Sequence, residues 1–132
     1  MSTATAIKDD TENFEAVLED FRGQVDAIRT SQAVIEFQLD GIILDANDNF
    51  LNTLGYTLAE VRGQHHSLFV DPTEKNSPEY RTFWDQLGRG ESFTRQFKRI
   101  AKDGREVWIQ ASYCSIKDTA GKPMKVVKYA TD

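Results

Sequence analysis

Hydrophobic and polar residues alternate along the last third of the chain, from Phe93 to Asp132. Alternation with a period of two is typical of β-strands, and polar turns containing Gly104 and Gly121 separate three such segments. The pattern therefore predicts three antiparallel strands, over residues 93–100, 107–116 and 124–130. In the middle strand, we take as the interior face the apolar set Val107, Ile109, Ala111 and Tyr113. Trp108 then belongs to the outer, mixed face.

Two shorter strands and several helices are predicted before this region. The strands cover residues 34–39 and 42–44, and the hairpin signal Asp40-Gly41 joins them. Capping residues and glycines predict short helices at 50–54, 58–62 and 65–70, followed by a polar loop. A longer helix over 78–87 begins with Pro78 at its first position. Five strands with the helices grouped between them predict an α+β fold, in which the short helices cover one face of a five-stranded antiparallel sheet.

The N-terminal region repeats apolar residues in steps of four and three, which is the spacing of a coiled-coil seam. The seam residues are Phe14, Leu18, Phe21, Val25 and Ile28. The helix is predicted to begin near Thr11, and residues 1–10 to fray. Two interpretations remain open, a flanking helix packed on its own sheet and a helix that pairs two chains. Residues 1–30 are thus expected to form a tail and cap helix, and residues 31–132 a separate domain.

Composition limits the classes of protein to consider. A chain of 132 residues with 39% hydrophobic and 28% charged residues suits one folded domain. The net charge of -5 argues against a nucleic-acid partner. Apolar runs stay well below the roughly 20 residues of a membrane span, and the N-terminus lacks a signal-peptide pattern, so we expect a cytoplasmic location. Cys114 is the single cysteine, which excludes an internal disulfide.

No group of residues has the spacing of a known catalytic site. The carboxylates are scattered and no glycine-rich phosphate loop is present. Ser67 follows His65 and His66, but no third residue that would orient a catalytic histidine can be named. We therefore expect that the chain is not an enzyme.

The order of these motifs resembles the PAS domain over about residues 31–132. The resemblance rests on Asp40–Asn47 with Phe50, Leu54-Gly55-Tyr56, Glu60–Gly63, Phe97–Arg99 with Lys102-Asp103-Gly104, Val107–Ile109 and Tyr129–Asp132. It is most similar to PAS domains of bacterial methyl-accepting chemotaxis receptors of the aerotaxis type. The resemblance implies a sensory domain, a downstream signalling domain in the full-length receptor, and a cap helix of the kind that pairs PAS domains into homodimers.

PAS domains bind haem, flavins or other small molecules, or bind nothing, so the resemblance leaves the cofactor open. Haem b would take His65 or His66 as its axial ligand, and this is the one metal site that the resemblance implies. Non-covalent FAD would need an aromatic wall and amide partners; the wall candidates are Trp84, Phe83, Tyr56 and Phe69, and the amide candidates Asn49 and Asn52. A light-driven flavin adduct is not expected, since residues 64–69 contain no cysteine. The predicted pocket residues are His65, His66, Trp84, Phe69, Asn49, Ile109 and Tyr113.

Three functional hypotheses follow. The leading one is a sensory module in which a small ligand, a gas or a redox change at the interior face alters the sheet and the N-terminal helix. The alternative is a ligand-free PAS module for dimerisation and protein–protein interaction, which uses the N-terminal seam and the outer face at Trp108. A haem enzyme or oxygen carrier is the third, and it would need bound haem.

Overall fold

The structure is a computed structural model that describes residues 3–131, with side chains from Thr11 onward. The chain divides between Ser31 and Gln32 into two compact units. The N-terminal unit is one helix, α1, Thr3–Ser31. The predicted start near Thr11 is therefore wrong. The fraying predicted for residues 1–10 stays a prediction, and Met1 and Ser2 lie outside the described residues. The segment has no proline, and its first glycine is Gly23, so nothing in the chain interrupts the helix earlier.

The seam of α1 is exposed to solvent in the single chain. The exposed fractions are 63% for Phe14, 58% for Phe21 and 50% for Val25. Leu18 is also exposed, and Ile28 is half-buried. An apolar stripe of this kind costs free energy in water unless another surface covers it.

The second unit contains five strands and five short or medium helices. In chain order they are β1 Ala33–Phe37, β2 Ile43–Ala46, α2 Asp48–Leu54, α3 Leu58–Val61, a 3₁₀ helix His66–Phe69, α4 Pro72–Lys75, α5 Pro78–Gly88, β3 Phe93–Ile100, β4 Glu106–Lys117 and β5 Pro123–Thr131. The strands form one sheet in the order β2-β1-β5-β4-β3, and every neighbouring pair is antiparallel. The predicted α+β fold with a five-stranded antiparallel sheet is confirmed.

The first strand ends at Phe37 instead of residue 39, and two further predicted elements differ from the structure. The polar loop after Val70 contains α4, because the Asp71 side chain accepts a hydrogen bond from the Glu74 amide and Pro72 occupies the first helical position. Strand β2 covers 43–46 instead of 42–44, and Ile42 forms an isolated bridge with His65. Both differences arise from local hydrogen bonds that hydrophobic periodicity does not report.

The sheet register brings together the residues that matter for the site. Tyr113 lies opposite Lys128 on the paired strands β4 and β5, and Arg99 of β3 lies opposite Val107 of β4. Since side chains alternate, these positions share the inner face with the apolar residues of β4. The inner face and the helices enclose one core, which includes Ile35, Phe37, Phe50, Leu54, Phe69, Leu87, Ile109, Ala111 and Tyr113.

Candidate functional site

His66 enters the protein interior from the edge of the sheet. Residues 63–66 run beside β2, where the Gly63 amide donates to the Ile43 carbonyl at 2.9 Å and the His66 amide donates to the Gly41 carbonyl at 2.8 Å. The 3₁₀ helix begins at His66, and the whole residue is buried. This backbone pairing thus fixes an imidazole inside the core, where a polar ring needs hydrogen-bond partners.

A continuous chain of hydrogen bonds surrounds this imidazole. His66 Nδ1 lies 2.7 Å from the Tyr80 hydroxyl of α5, and His66 Nε2 lies 2.8 Å from the Tyr113 hydroxyl of β4. Arg99 of β3 donates from Nη2 to the Tyr113 hydroxyl at 2.9 Å and from Nη1 to Glu74 Oε2 at 3.2 Å. We call the residues His66, Tyr80, Tyr113 and Arg99 the polar chain. It joins the 3₁₀ helix, α5, β4 and β3, and it ends at a partly exposed carboxylate on α4.

Burial keeps the polar chain uncharged except at Arg99. Burial and the nearby charges of Arg99 and Lys128 hold the pKa of His66 well below its usual value, so the imidazole is neutral at pH 7. Burial also raises the pKa values of Tyr80 and Tyr113, so both phenols keep their protons. A neutral imidazole offers one donor and one acceptor, which matches two neighbouring hydroxyl groups.

Lys128 adds a second cationic side chain to this part of the interior. It is fully buried on β5, and its Nζ lies 4.9 Å from the ring centre of Tyr113 and 5.6 Å from that of Phe50. Burial, and then the charge of Arg99, lowers the pKa of Lys128 well below its usual value. Among the residues that the structure describes, neither Lys128 Nζ nor Arg99 Nε has a hydrogen-bond partner. Ring faces provide part of the missing stabilisation.

Aromatic rings close the space around His66. Its ring centre lies 5.4 Å from that of Phe37, 6.1 Å from that of Phe69 and 5.3 Å from that of Trp84, all edge-to-face. Such arrangements are the favoured packing of aromatic pairs. Trp84 Nε1 makes no hydrogen bond of good geometry with any described residue, although the indole influences the pKa of the Tyr80 hydroxyl beside it. These rings exclude water from the His66 end of the polar chain.

A cleft opens onto the other end of the polar chain. It has a volume of about 270 Å³ and lies between α5 and β3. Tyr80 and Arg99 line it together with the aromatic rings of Phe83 and Phe97, and Glu74 and Arg95 stand among its other lining residues. The buried hydrogen-bond chain therefore reaches a surface that a small molecule could approach.

The structure brings together five of the seven residues predicted for a pocket. These five are His66, Phe69, Trp84, Ile109 and Tyr113, which are all buried in the same core. His65 is half-buried beside them, with Nε2 2.9 Å from the Asp40 carbonyl and Nδ1 accepting from the Ser67 amide. Asn49 lies apart from the cluster, because it is exposed at the start of α2 and its amide donates to the Gln32 carbonyl.

The residues present do not fit haem or FAD in this arrangement. Both ring nitrogens of His66 and both of His65 already have protein partners, so neither offers a free nitrogen to an iron atom. Trp108 is 62% exposed, which removes it from the interior. The aromatic wall proposed for a flavin exists, but the Asn49 and Asn52 side chains are exposed and do not face it.

Sequence reasoning missed three members of the site: Tyr80 as a hydrogen-bond partner, and Arg99 and Lys128 as buried cations. A usable signal was present for Lys128, which alternates in phase with Val126 and Ala130 on β5 and therefore belongs to the inner face. A charged residue in the apolar phase of a central strand is unusual, and it indicates a site.

Comparison with known proteins agrees with this fold. The family described as PAS fold matches residues 43–130, which is two thirds of the chain. The chain belongs to the PAS fold family. Among solved structures, this PAS domain superposes on a light-oxygen-voltage domain studied with a flavin analogue, with a TM-score of 0.69, 25% identity and 83% of each chain covered.

Two relatives are named as a dispersion protein and a receptor. The PAS domain is 45% identical over 113 residues to the Biofilm dispersion protein BdlA of Pseudomonas aeruginosa, covering 86% of this chain and 27% of that protein. It is 32% identical over 74 residues to the Aerotaxis receptor of Escherichia coli, covering 56% of this chain and 14% of that protein. The predicted resemblance to PAS domains of aerotaxis-type receptors is confirmed. The chain spans about a quarter or less of these two relatives. No helix in the described residues is long and apolar enough to cross a membrane.

Proposed function

We propose that this PAS domain senses a small molecule bound at the polar chain and passes the change to the rest of a chemotaxis-type receptor. The observation that carries the proposal is the hydrogen-bonded path from His66 through Tyr113 to Arg99, buried in the core. Buried cations and neutral polar groups contribute less to stability than apolar packing would. Their presence in the core is therefore typical of a functional site.

The geometry of the path explains how binding would alter the fold. Tyr113 lies on a central strand, and its hydroxyl accepts from Arg99 while it bonds His66. A ligand that competes for either bond changes the contact between the helices and the sheet. A ligand shifts a conformational equilibrium only by its differential affinity for the two states, and a hydrogen bond gained or lost at Tyr113 is such a difference. We expect β4 and β5 to carry the change.

The relatives support a role as one input module of a longer protein. One relative is named an Aerotaxis receptor, and the other is named for biofilm dispersion. Each extends well beyond the matched segment, which suits a sensor joined to a downstream signalling domain. Among the described residues, Glu74 is the one carboxylate that is hydrogen-bonded to the polar chain. Acid–base catalysis by a pair of carboxylates has no basis there, and we propose no catalytic role.

Native mass spectrometry tests whether the interior binds a small molecule. The chain is incubated with a small-molecule extract of bacterial cells, freed of unbound material by gel filtration, and measured under non-denaturing conditions. We expect a non-covalently bound mass. Ala111→Leu should remove it by filling the inner face, whereas Gln110→Leu, one residue away on the outer face, should keep it. A spectrum without bound mass, or equal retention by both variants, would contradict the proposal.

A dimerisation module is the second candidate, and the exposed seam of α1 favours it. With Phe14, Phe21 and Val25 each at least half exposed, two copies of α1 could bury the seam against each other. Phe21→Glu should shift the chain from dimer to monomer in analytical ultracentrifugation. Ala16→Glu adds the same charge on the opposite face of α1 and should leave the dimer intact. An unchanged sedimentation coefficient for Phe21→Glu would exclude pairing through this seam.

A further inference from the structure

Buried hydrogen-bond donors outnumber acceptors around Tyr113. Lys128 Nζ and Arg99 Nε have no acceptor among the described residues, and both side chains are essentially fully buried. An arginine side chain donates hydrogen bonds and cannot accept them, and the same is true of a protonated lysine. Most buried polar groups in folded proteins have partners, so the unpaired donors of Lys128 and Arg99, whose side chains both lie over the Tyr113 ring, point to a missing acceptor.

The hydroxyl groups of the polar chain add to this surplus. Neutral His66 and the two phenols of Tyr80 and Tyr113 carry three polar hydrogen atoms, but only two hydrogen bonds join these side chains. Arg99 occupies a lone pair of the Tyr113 oxygen as a further donor. Whichever tautomer His66 adopts, one tyrosine hydrogen remains without an acceptor in the polar chain.

Among the described residues, one carboxylate is hydrogen-bonded to the polar chain. Glu74 accepts from Arg99 Nη1, and its side chain is 40% exposed, so water screens much of its charge. Lys128 has no hydrogen bond to it. Arg99 therefore has one partly solvated anion as its partner, and among the described residues no acceptor pairs with Lys128, whose burial disfavours the charged form of its amine.

The cleft between α5 and β3 shows where an anion could enter. Arg99, Tyr80 and Arg95 line it, as do the carboxylates of Glu74 and Glu79, so an anion there depends on the buried Arg99 for its attraction. The volume of about 270 Å³ lies just below the roughly 300–1,000 Å³ of typical ligand pockets, which suits a small molecule. The rings of Phe83 and Phe97 give the cleft apolar walls.

We propose that the site takes a small carboxylate with an apolar or aromatic body, whose anionic group pairs with Arg99 and stabilises the protonated form of Lys128. This inference rests on the proposed sensory function and names the chemical class of its ligand. Arg99 can pair with a carboxylate through Nε, the donor that the protein leaves unused. An anion there would favour the protonated form of Lys128, because the interior screens charge weakly. Binding therefore takes up a proton.

Benzoate and benzamide form a matched pair of probes. They have the same ring and nearly the same volume, and they differ in the negative charge. Isothermal titration calorimetry should show benzoate binding at least about tenfold more tightly than benzamide. Repeating the benzoate titration at several pH values in buffers with different ionisation enthalpies should reveal proton uptake at each pH where Lys128 of the free chain is unprotonated.

Lys128→Met separates this mechanism from general attraction of anions. The variant keeps an unbranched side chain of similar length, and it should lose both the proton uptake and most of the preference for benzoate. In the unmodified chain, the ¹³Cε resonance of Lys128 should titrate at higher pH with saturating benzoate than without it. Equal affinity for the two probes, or a ¹³Cε titration that benzoate does not move, would overturn the inference. If benzamide binds as well as benzoate, a small-molecule sensor remains and only the anionic ligand class fails; if neither binds, the proposed function loses its support as well.

Discussion

Replacement of Tyr113 by phenylalanine tests the polar chain directly. The substitution removes one oxygen atom and keeps the ring that packs 4.9 Å from the rings of Phe83 and Phe97. It leaves two buried groups without partners, Arg99 Nη2 and His66 Nε2, because both bond the Tyr113 hydroxyl. The change in stability therefore reports the hydrogen bonds, with little contribution from lost packing.

The expected loss follows from those two groups. A hydrogen bond to a charged donor is worth about 1.5–3 kcal/mol, and leaving a buried neutral group unsatisfied costs about 1–3 kcal/mol. Tyr113→Phe should therefore lower the free energy of unfolding by about 3–5 kcal/mol. With a urea m-value of about 1.5–2 kcal/mol/M, the midpoint of unfolding would fall by about 2 M.

Urea denaturation followed by tryptophan fluorescence measures this loss, since Trp84 lies in the same core. Tyr56→Phe is the matched control, because it removes a phenol oxygen from a half-buried ring that keeps its contact with Phe69, 5.6 Å between centres. The control should cost less than about 0.5 kcal/mol. If Tyr113→Phe costs no more than Tyr56→Phe, the buried chain does not contribute to stability and the reasoning fails.

Three further predictions concern the surroundings of the polar chain. In the unfolded chain, His66 has the ordinary histidine pKa of about 6.5, whereas burial holds its pKa well below that value in the folded chain. As pH falls from about 6.5 to 5, the unfolded state therefore gains a proton that the folded state does not. Stability should thus decrease over this window by up to about 1.4 kcal/mol per pH unit, and His66→Gln should remove most of that slope in urea titrations at each pH. Gly41 and Gly104 both have a positive φ, but a Cβ at Gly41 would lie 2.6 Å from His65 Nε2, whereas a Cβ at Gly104 would meet open space. Gly41→Ala should therefore lower the thermal midpoint of unfolding clearly more than Gly104→Ala. Equal losses would refute the close contact. Lys128→Met removes an unpaired buried amine and should leave the free energy of unfolding at pH 7 unchanged or raise it by about 1–3 kcal/mol, whereas a large loss would show that the amine has a partner.

The fold was predictable because its signals are local. Alternation over residues 93–130 defined three strands, and Gly104 and Gly121 marked their turns, both with positive φ in the structure. Helix α4 escaped prediction, since its evidence is the Asp71 cap and Pro72 in a short polar segment without an apolar stripe. The early start of α1 was missed because Thr3–Asp10 carries no apolar periodicity that would mark a helix.

The candidate site was predictable only in part. The aromatic and histidine content of the core drew attention to His66, Trp84 and Tyr113. Arg99 was missed because charged residues in a strand are usually exposed, and only the fold shows that the Arg99 side chain is buried and reaches Tyr113. Whether a charged side chain is buried depends on strand register, which a single sequence does not reveal.

The most direct test of the account is a two-dimensional ¹H–¹⁵N spectrum of the chain, recorded while mixtures of small anionic and neutral compounds are added. The account predicts that at least one compound shifts the backbone signals of Tyr113 and its neighbours on β4 and β5 first, and that Tyr113→Phe weakens this response. Shifts confined to the exposed face around Trp108, or no shift with any compound at millimolar concentration, would contradict a ligand site in the interior.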